Sequence, residues 1–360
     1  MNILAFESSC DETSASVVST DGQTFTVKSN IIASQIEIHK LYGGVVPEIA
    51  SRAHTEAISG ITYEALLKAG LSLSDIDLVA VTANPGLIGA LLVGVNFAKG
   101  LSIANKIPLV AVDHIKGHIA STYLIAEAPK PPFIALTASG GHTSIYKVDS
   151  YTDVSEIGST RDDAIGESFD KIGRIIGIPY PAGKGFDALA QQGFEKATGL
   201  PIDTPKIYEK YKKSEAYKNP ETYIPSPALT DGSLDFSFSG LKTASINLLH
   251  KFEQSGKEID RELFAARYTY EAVEAVAKKI SAALDKYDGY SLSISGGVAA
   301  NSHLRRRLAE VATSHGKEIY IPPLSLCGDN AAMIAAAGYF EYKNGAVSDS
   351  TLNASALDSI

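Results

Sequence analysis

Residues 107–120, IPLVAVDHIKGHIA, decide the predicted fold because they join a buried strand to a pair of histidines. The apolar run at residues 109–112 lies between a proline and an aspartate, which is typical of a strand covered on both faces of a parallel sheet. His114 and His118 follow, and positions four apart share one face if a helix begins there. Open parallel sheets bind ligands at the carboxyl ends of their strands, so we predict that both imidazoles face a ligand crevice.

The histidine pair alone leaves two interpretations open. Two imidazoles do not complete a metal site, so they are either part of a ligand set or surface histidines on an ordinary first turn. A zincin-type protease is excluded, because those enzymes place a glutamate directly after the first histidine, where this chain has Ile115.

A strand, a polar loop and a second strand occur twice, about 130 residues apart. This repeat predicts a duplicated α/β domain in which each copy opens with a loop able to cradle a ligand. The first copy spans residues 3–6, 8–14 and 15–18, and the second spans residues 133–136, 137–143 and 144–148.

Further polar loops follow predicted strands later in the chain. Residues 295–301, SGGVAAN, follow one strand, and Asp329 follows the last one. Loops of this kind gather along one crevice in a doubly wound sheet, where glycine loops accept phosphate through backbone amides. Two histidines and Asp329 would make a three-ligand metal site with an open position, although helix capping alone would also explain Asp329. From these residues we predict a nucleotide-dependent transferase or phosphohydrolase.

Composition predicts an ordinary globular protein of the cytoplasm. The 360 residues are 45% hydrophobic and 20% charged, and a net charge of −9 disfavours broad unaided nucleic-acid binding. Two cysteines, Cys10 and Cys327, exclude a disulfide framework and favour a reducing compartment. The amino terminus lacks a signal-peptide pattern, and residues 78–98 are interrupted by asparagine, proline and glycines, so no membrane span is expected.

Length and composition also predict the division of the chain. We expect an N-terminal lobe at residues 1–130, completed by a C-terminal helix at about 329–343, and a second lobe at 131–328. Residues 199–232 are rich in polar and turn-forming residues without an apolar period, which predicts a long loop or insertion. Residues 344–360 are expected to form a loose polar tail.

Eight motifs in collinear order, from about residue 1 to residue 340, closely resemble the TsaD/Gcp/Kae family. Their number and order make the resemblance specific, where any one alone would not. The motifs are ESSCDET (7–13), PGLIGALLVG (85–94), VDHIKGH (112–118), ASGGHT (138–143), DDAIGESFDK (162–171), DFSFSGLKTA (235–244), SGGVAANSHLR (295–305) and CGDNAAM (327–333).

The resemblance implies an actin/Hsp70/sugar-kinase-like (ASKHA) α/β fold, with two duplicated RNase H-like lobes and the active site in the crevice between them. It implies an acyltransferase that moves the threonylcarbamoyl group of threonylcarbamoyl-adenylate to the adenosine 3′ of the anticodon in ANN-decoding tRNAs, releasing AMP. It also implies one divalent ion per subunit, Fe²⁺ or Zn²⁺, held by His114, His118 and Asp329. The residues implied to bind the adenylate are Ala138, Ser139, Gly140, Gly141, His142, Asp170, Gly183, Asp187 and Asn301.

Asp11 and Glu12 are our candidates for orienting or deprotonating the attacking amine, since both lie in the first polar loop. The alternative function is an ATP-dependent phosphotransferase or ATPase on the same fold, which the histidines disfavour because imidazole suits zinc or iron better than magnesium. A non-catalytic scaffold is a third possibility. The family resemblance further implies either a TsaB-like paralogue with a TsaE-like ATPase, or a homodimer, as the assembly that binds tRNA.

Overall fold

The computed structural model describes residues 1–227, 229 and 231–357 of the 360-residue chain. Residues 228 and 230 of the predicted insertion and residues 358–360 of the predicted tail lie outside this described part. Two mixed five-stranded sheets each form the centre of one lobe.

The first sheet forms the centre of the N-terminal lobe. Its strands are β1 (Asn2–Glu7), β2 (Glu12–Thr20), β3 (Phe25–Ser34), β4 (Leu78–Asn84) and β5 (Leu109–Asp113). The order is β3-β2-β1-β4-β5, with β1 antiparallel to β2 and parallel to β4. The apolar side chains of β1 from Ile3 to Phe6 are all fully buried, which explains its central place.

The second sheet repeats this arrangement. Its strands are β6 (Phe133–Ala138), β7 (Thr143–Val148), β8 (Val154–Ser159), β9 (Ser291–Ser295) and β10 (Ile319–Tyr320). The order is β10-β9-β6-β7-β8, and β6 is antiparallel to β7 and parallel to β9, as β1 is to β2 and β4. The predicted duplication of an α/β unit is therefore confirmed. The edge strands β3 and β8 were not predicted, because their partly exposed sequences lack a continuous apolar run.

Twelve α-helices surround the two sheets within the described residues. The longer ones begin and end where their sequences predict: Pro47 occupies the first turn of the second helix, and Gly70 ends it in the left-handed region. The helices are α1 (Ile36–His39), α2 (Pro47–Ala69), α3 (Ile88–Asn105), α4 (His114–Ala120), α5 (Ile165–Ile175), α6 (Gly183–Thr198), α7 (Ile207–Lys213), α8 (Glu215–Lys218), α9 (Ser239–Gln254), α10 (Arg261–Lys286), α11 (Ser302–Ser314) and α12 (Ala331–Lys343).

The final helix packs on the N-terminal sheet. The side chains of α12 from Ala331 to Ala336 are fully buried in the cluster that contains β1, β4 and β5 residues. A Cβ atom on Gly117 of α4 would lie 2.5 Å from the Ile334 Cδ1 atom, so the two helices approach closely at this glycine. This crossing holds α4 and the segment before α12 next to each other.

Two segments expected to be loose contact the lobes. Within residues 199–232, the side chains of Ile207, Tyr208 and Tyr211 are buried in the core of the second lobe, because two short helices turn these scattered residues to one side. In the expected tail, the Ser348 N–H group donates to the Leu109 carbonyl at 2.7 Å and the Ser355 N–H group donates to the Ala83 carbonyl at 2.9 Å. The tail therefore runs along the N-terminal lobe as far as these contacts extend.

One described helix, α3, is long and apolar enough to cross a membrane by length and composition. In this fold it lies against α2 and β4 and buries Leu91, Val95 and Ala98 in the core. Its composition is therefore that of a packed core helix with a partly exposed apolar face.

Candidate metal and adenylate site

The histidine pair lies where β5 ends and α4 begins. Asp113 caps this helix, because its carboxylate accepts hydrogen bonds from the N–H groups of Ile115 and Lys116. The cap fixes His114 as the first helical residue, so His118 falls on the same face one turn later. The two imidazole rings are 4.5 Å apart between centroids, as the sequence spacing predicted.

Asp329 reaches the same point from the segment before α12. Its Oδ1 atom lies 3.2 Å from the Nε2 atom of His118 and 3.7 Å from the Nε2 atom of His114. One ligand atom from each residue lies within 4.8 Å of the others, so the three side chains can share one ion. Capping does not account for Asp329, because Asn330 caps α12 by accepting a hydrogen bond from the Met333 N–H group.

His118 carries the observation that favours a metal. The side chain is fully buried, its Nδ1 atom has no hydrogen-bond partner within the described residues, and its Nε2 atom faces the Asp329 carboxylate at 3.2 Å. A buried polar atom without a partner is costly unless something absent from the chain satisfies it. Two imidazoles and one carboxylate form a donor set that suits zinc or iron and leaves a position open to substrate.

Glu7 supports His114 from the end of β1. It is 1% exposed, and its Oε2 atom lies 3.0 Å from His114 Nδ1. The same carboxylate accepts hydrogen bonds from the Thr82 hydroxyl and the Ser9 N–H group, both at 2.5 Å. With Nδ1–H donating to Glu7, the Nε2 atom of His114 faces Asp329 and is the ring nitrogen that would bind an ion.

Charge shapes the protonation of this cluster in the absence of an ion. Burial works to lower the pKa of His114, but the carboxylates of Glu7 and Asp329 raise it to about 9. Burial likewise works to raise the pKa of Asp329, but His114, His118 and His142 hold it well below its ordinary value. Any bound cation therefore displaces a proton from this site.

The predicted adenylate loop follows β6. The Ser139 N–H group donates to the His142 carbonyl at 2.8 Å, and the His142 N–H group donates to Ser139 Oγ at 3.1 Å, so the loop closes on itself. Gly140 and Gly141 are exposed at its tip, and a Cβ atom on either would meet nothing within 4 Å. The tip is therefore open to a ligand, with its backbone amides unobstructed.

Two glycines pack behind this loop. A Cβ atom on Gly166, in the first turn of α5, would lie 2.4 Å from the Ser139 carbonyl oxygen. A Cβ atom on Gly296 would lie 2.3 Å from the Ala138 carbonyl oxygen, and the φ angle of +88° at Gly296 also favours glycine. Because neither position tolerates a side chain, the loop is held rigidly between α5 and the turn after β9.

The remaining predicted adenylate residues continue the wall of the crevice. Asp170 of α5 accepts a hydrogen bond from the Ala182 N–H group at 2.7 Å and another from the Gly183 N–H group, which fixes the start of α6. Burial raises the pKa of Asp170 despite these bonds.

Asp187 and Asn301 hold the start of α11. The Oδ1 atom of Asp187 accepts hydrogen bonds from the Ser302 N–H group at 3.2 Å and the Ser302 hydroxyl at 3.0 Å. Asn301 caps α11 by accepting from the Leu304 N–H group at 2.9 Å. Both side chains thus have local bonds of their own, and burial raises the pKa of Asp187.

Asp11 and Glu12 lie where the first polar loop ends and β2 begins. Burial, followed by the negative charges of Asp329 and Asp11, raises the pKa of Glu12 to about 9. The charge of Asp11 also contributes, after burial, to the raised pKa values of Asp170 and Tyr180. Carboxylates from separate motifs of the two lobes therefore influence each other's protonation.

Sequence reasoning missed Glu7 and Tyr180 as members of the site. Glu7 carried a usable signal, since a lone carboxylate directly after an apolar strand in a parallel sheet points to the ligand edge. Tyr180 carried none, because its place depends on how the segment between α5 and α6 folds.

The sequence profile of TsaD, described as tRNA N6-adenosine threonylcarbamoyltransferase, matches residues 26–336. Curated proteins of that name resemble the chain over almost its whole length. The relative from Clostridium beijerinckii is 44% identical over 98% of this chain and 96% of its own, and that from Geobacillus thermodenitrificans is 46% identical over 98% and 95%. The relative from Moorella thermoacetica is 45% identical over 98% and 95%.

Solved structures share the fold at much lower identity. The HypF structure from T. kodakarensis superposes with a TM-score of 0.55 at 13% identity over 96% of this chain. Full-length HypF in its phosphate- and nucleotide-bound form gives a TM-score of 0.52 at 16% identity over 95% of this chain. The chain spans 48% and 46% of those two proteins, so the likeness concerns the two-lobed ASKHA fold. By the profile match and the full-length relatives, the chain belongs to the TsaD family of tRNA N6-adenosine threonylcarbamoyltransferases.

Proposed function

We propose that this chain transfers the threonylcarbamoyl group of threonylcarbamoyl-adenylate to the N6 amine of the adenosine 3′ of the anticodon in ANN-decoding tRNAs. The observation that carries the proposal is the convergence of three features in one crevice of a TsaD-family chain. These are the His114–His118–Asp329 cluster, the open glycine loop at Gly140 and Gly141, and the carboxylates of Asp11 and Glu12.

We propose that His114, His118 and Asp329 hold one divalent ion, Fe²⁺ or Zn²⁺. The support is the fully buried imidazole of His118, whose Nε2 atom faces the Asp329 carboxylate at 3.2 Å, and the Glu7 carboxylate that orients the ring of His114. When bound, such an ion supplies Lewis acidity that offsets negative charge on a substrate oxygen. The remaining steps are carried by side chains and backbone of this chain.

The reaction forms a bond between the adenosine N6 atom and the carbonyl carbon of the threonylcarbamoyl group. The bond between that carbon and the phosphate oxygen breaks, and AMP leaves with the electron pair. Asp11 accepts the proton that the amine loses, while Glu12, whose raised pKa of about 9 keeps its carboxyl group protonated near neutral pH, orients the amine. AMP is a good leaving group, so no covalent intermediate on the protein is needed.

The adenylate lies, in this proposal, against the wall formed by α5, α6 and the turn before α11. The backbone amides of Gly140 and Gly141, at the exposed tip of the loop at residues 138–142, stabilise charge on the phosphate and on the carbonyl oxygen. Asp170 and Gly183 form the floor of this wall, and Asp187 and Asn301 form its far side.

We also propose that the chain acts in the cytoplasm with a TsaB-like paralogue and a TsaE-like ATPase, or as a homodimer. The supporting feature is an exposed groove between α2 and α3 that is lined by Ile58, Leu92, Val93 and Phe97. Apolar surface of this kind on a soluble lobe favours a protein partner. Light scattering of the isolated chain, and of the chain mixed with each candidate, distinguishes these assemblies.

The test of the transfer reaction starts with the single protein. The chain is incubated with threonylcarbamoyl-adenylate and unmodified ANN-decoding tRNA, with and without chelator, and the tRNA is digested for mass spectrometry of its nucleosides. We expect threonylcarbamoyladenosine that disappears with chelator and with the His114→Ala variant. If product forms only after candidate partners are added, transfer requires the assembled complex. ATP hydrolysis without any modified nucleoside would contradict the proposal and favour the ATPase alternative.

A further inference from the structure

The segment between β3 and α2 crosses the edge of the crevice, and the proposed function does not use it. At its start, the Gln35 N–H group donates to the Asp11 carbonyl at 3.0 Å, so the segment leaves the sheet beside a proposed catalytic carboxylate. At its end, Val46 immediately precedes the first turn of α2. We call residues 35–46 the crossing segment.

A buried histidine fixes the shape of the crossing segment. His39 is fully buried, and its Nδ1 atom accepts a hydrogen bond from the Val46 N–H group at 3.3 Å. Its Nε2–H group therefore donates to the Gln35 side-chain oxygen at 3.1 Å, which joins both ends of the segment. The segment is thus an ordered loop with a defined inner and outer side.

The outer side of this ordered loop exposes large apolar side chains. Leu41 is 82% exposed and Tyr42 is 60% exposed, although the loop that carries them is ordered by the buried histidine. Large exposed side chains on an ordered loop beside an active site favour a binding surface.

The crossing segment also reaches the second lobe. The Arg174 guanidinium donates a hydrogen bond to the Gly43 carbonyl, next to Tyr42. Arg174 lies one turn after Asp170 on α5, so this contact closes the side of the crevice where the adenylate wall begins. The surface at this edge therefore combines residues of both lobes.

Positive charge at this edge is exposed and forms no salt bridge within the described residues. Neither Arg174 nor Lys184 forms a salt bridge within 4.0 Å in the described part of the chain, although the charge of Arg174 acts on Asp170, and both side chains are exposed. Lys184 follows Gly183, whose N–H group is bonded to Asp170, so it belongs to the same edge. In a chain of net charge −9, exposed cations at the edge that carries an exposed aromatic ring complement phosphates and bases.

We propose that Leu41, Tyr42, Arg174 and Lys184 form the surface that receives the anticodon-loop nucleotides flanking the target adenosine. This inference rests on the proposed transfer to tRNA. The target base has to enter the crevice, so its neighbours remain at the edge, where single-stranded bases stack on aromatic rings and phosphates meet guanidinium and ammonium groups. One flanking base stacks on Tyr42, and the phosphates on either side of it contact Arg174 and Lys184.

The test compares variants of the full chain, with any partners that transfer requires, on an unmodified anticodon stem-loop RNA. Tyr42→Ala should raise the RNA Kd and the KM for RNA about 5- to 100-fold, whereas Tyr42→Phe should stay within about twofold of the native protein because the ring is kept. Lys184→Gln should raise the RNA Kd. The slope of log Kd against log salt concentration should decrease by the amount expected for about one phosphate contact. Tyr63→Ala is the matched control, since Tyr63 is 71% exposed on α2 and lies roughly 24 Å along that helix from Pro47.

A second readout separates this surface from the transfer reaction itself. Release of AMP from threonylcarbamoyl-adenylate without RNA reports the adenylate wall, and we expect Tyr42→Ala and Lys184→Gln to leave it unchanged. If the native protein modifies the RNA but both variants keep the native KM and Kd, the proposed RNA-binding surface is wrong. The proposed transfer reaction is then unaffected. If the native protein makes no product even with partners, the proposed transfer reaction is wrong. The RNA Kd values of the variants then test the proposed surface independently. Variants that lose binding to a partner protein with an unchanged RNA Kd also overturn the assignment.

Discussion

Replacing the Glu7 carboxylate by an amide should weaken the binding of a divalent ion at His114, His118 and Asp329. Glu7 contacts no ion itself, but it accepts the hydrogen bond of His114 Nδ1 at 3.0 Å and so sets which ring nitrogen is free. Glutamine keeps the size of the side chain and one oxygen acceptor. The substitution therefore changes charge and hydrogen bonding without opening a cavity.

The magnitude follows from the three hydrogen bonds that Glu7 accepts. Its Oε2 atom serves His114 and the Thr82 hydroxyl, while its Oε1 atom serves the Ser9 N–H group. If the glutamine oxygen takes the first two, its NH₂ group faces the Ser9 N–H donor, and one bond is lost. The bond from His114 then ends on a neutral acceptor instead of a carboxylate, and changing such an outer partner of a ligating histidine should lower the affinity for the ion about 10- to 100-fold.

Competition with a chromophoric chelator measures the Zn²⁺ affinity of the native and Glu7→Gln proteins at fixed pH. Glu271→Gln is the matched control, because Glu271 is also buried at 3% exposure but pairs with Arg267 in the second lobe. We expect the control to lose stability without losing Zn²⁺ affinity. A folded Glu7→Gln protein that binds Zn²⁺ as tightly as the native chain would refute the role assigned to Glu7. An equal loss in both variants would show that the effect is general destabilisation.

Three further predictions concern the ion, a helix cap and a buried histidine. His118→Ala should abolish the thermal stabilisation by Zn²⁺, about 2.7 kcal/mol at a hundredfold excess over Kd, measured by calorimetry with and without the ion. Asn330→Ala should lower the free energy of unfolding in urea by about 1 kcal/mol, because the bond from the Met333 N–H group at 3.1 Å is lost. Burial lowers the pKa of His303 to about 3, so its contribution to stability is present above about pH 6.5 and is lost as pH falls towards 3. His303→Gln should therefore reduce the loss of unfolding free energy between pH 7 and pH 4.5 by roughly 2–3 kcal/mol, whereas His250→Gln, at an exposed position, should not.

Central strands and their following loops were predictable because burial on both faces imposes a continuous apolar run. The strand before His114 and the helix start at that residue are where the sequence analysis placed them. The edge strands were not, because β3 alternates buried and exposed positions and β8 is largely exposed. The burial of Tyr208 was equally hidden, since its hydrogen bond to the His303 carbonyl joins residues 95 positions apart.

The sequence left the role of one predicted metal ligand ambiguous. A comparison of the starts of α4 and α12 explains why. At α4 the cap and the ligand are adjacent residues, Asp113 and His114, and each residue type suits a single role. Before α12 the adjacent residues are Asp329 and Asn330, and either is a good cap. Only the bond from the Met333 N–H group to Asn330 divides the roles and leaves the Asp329 carboxylate free to lie 3.2 Å from His118. A carboxylate next to a helix start therefore counts as a ligand candidate when its neighbour can take over the cap.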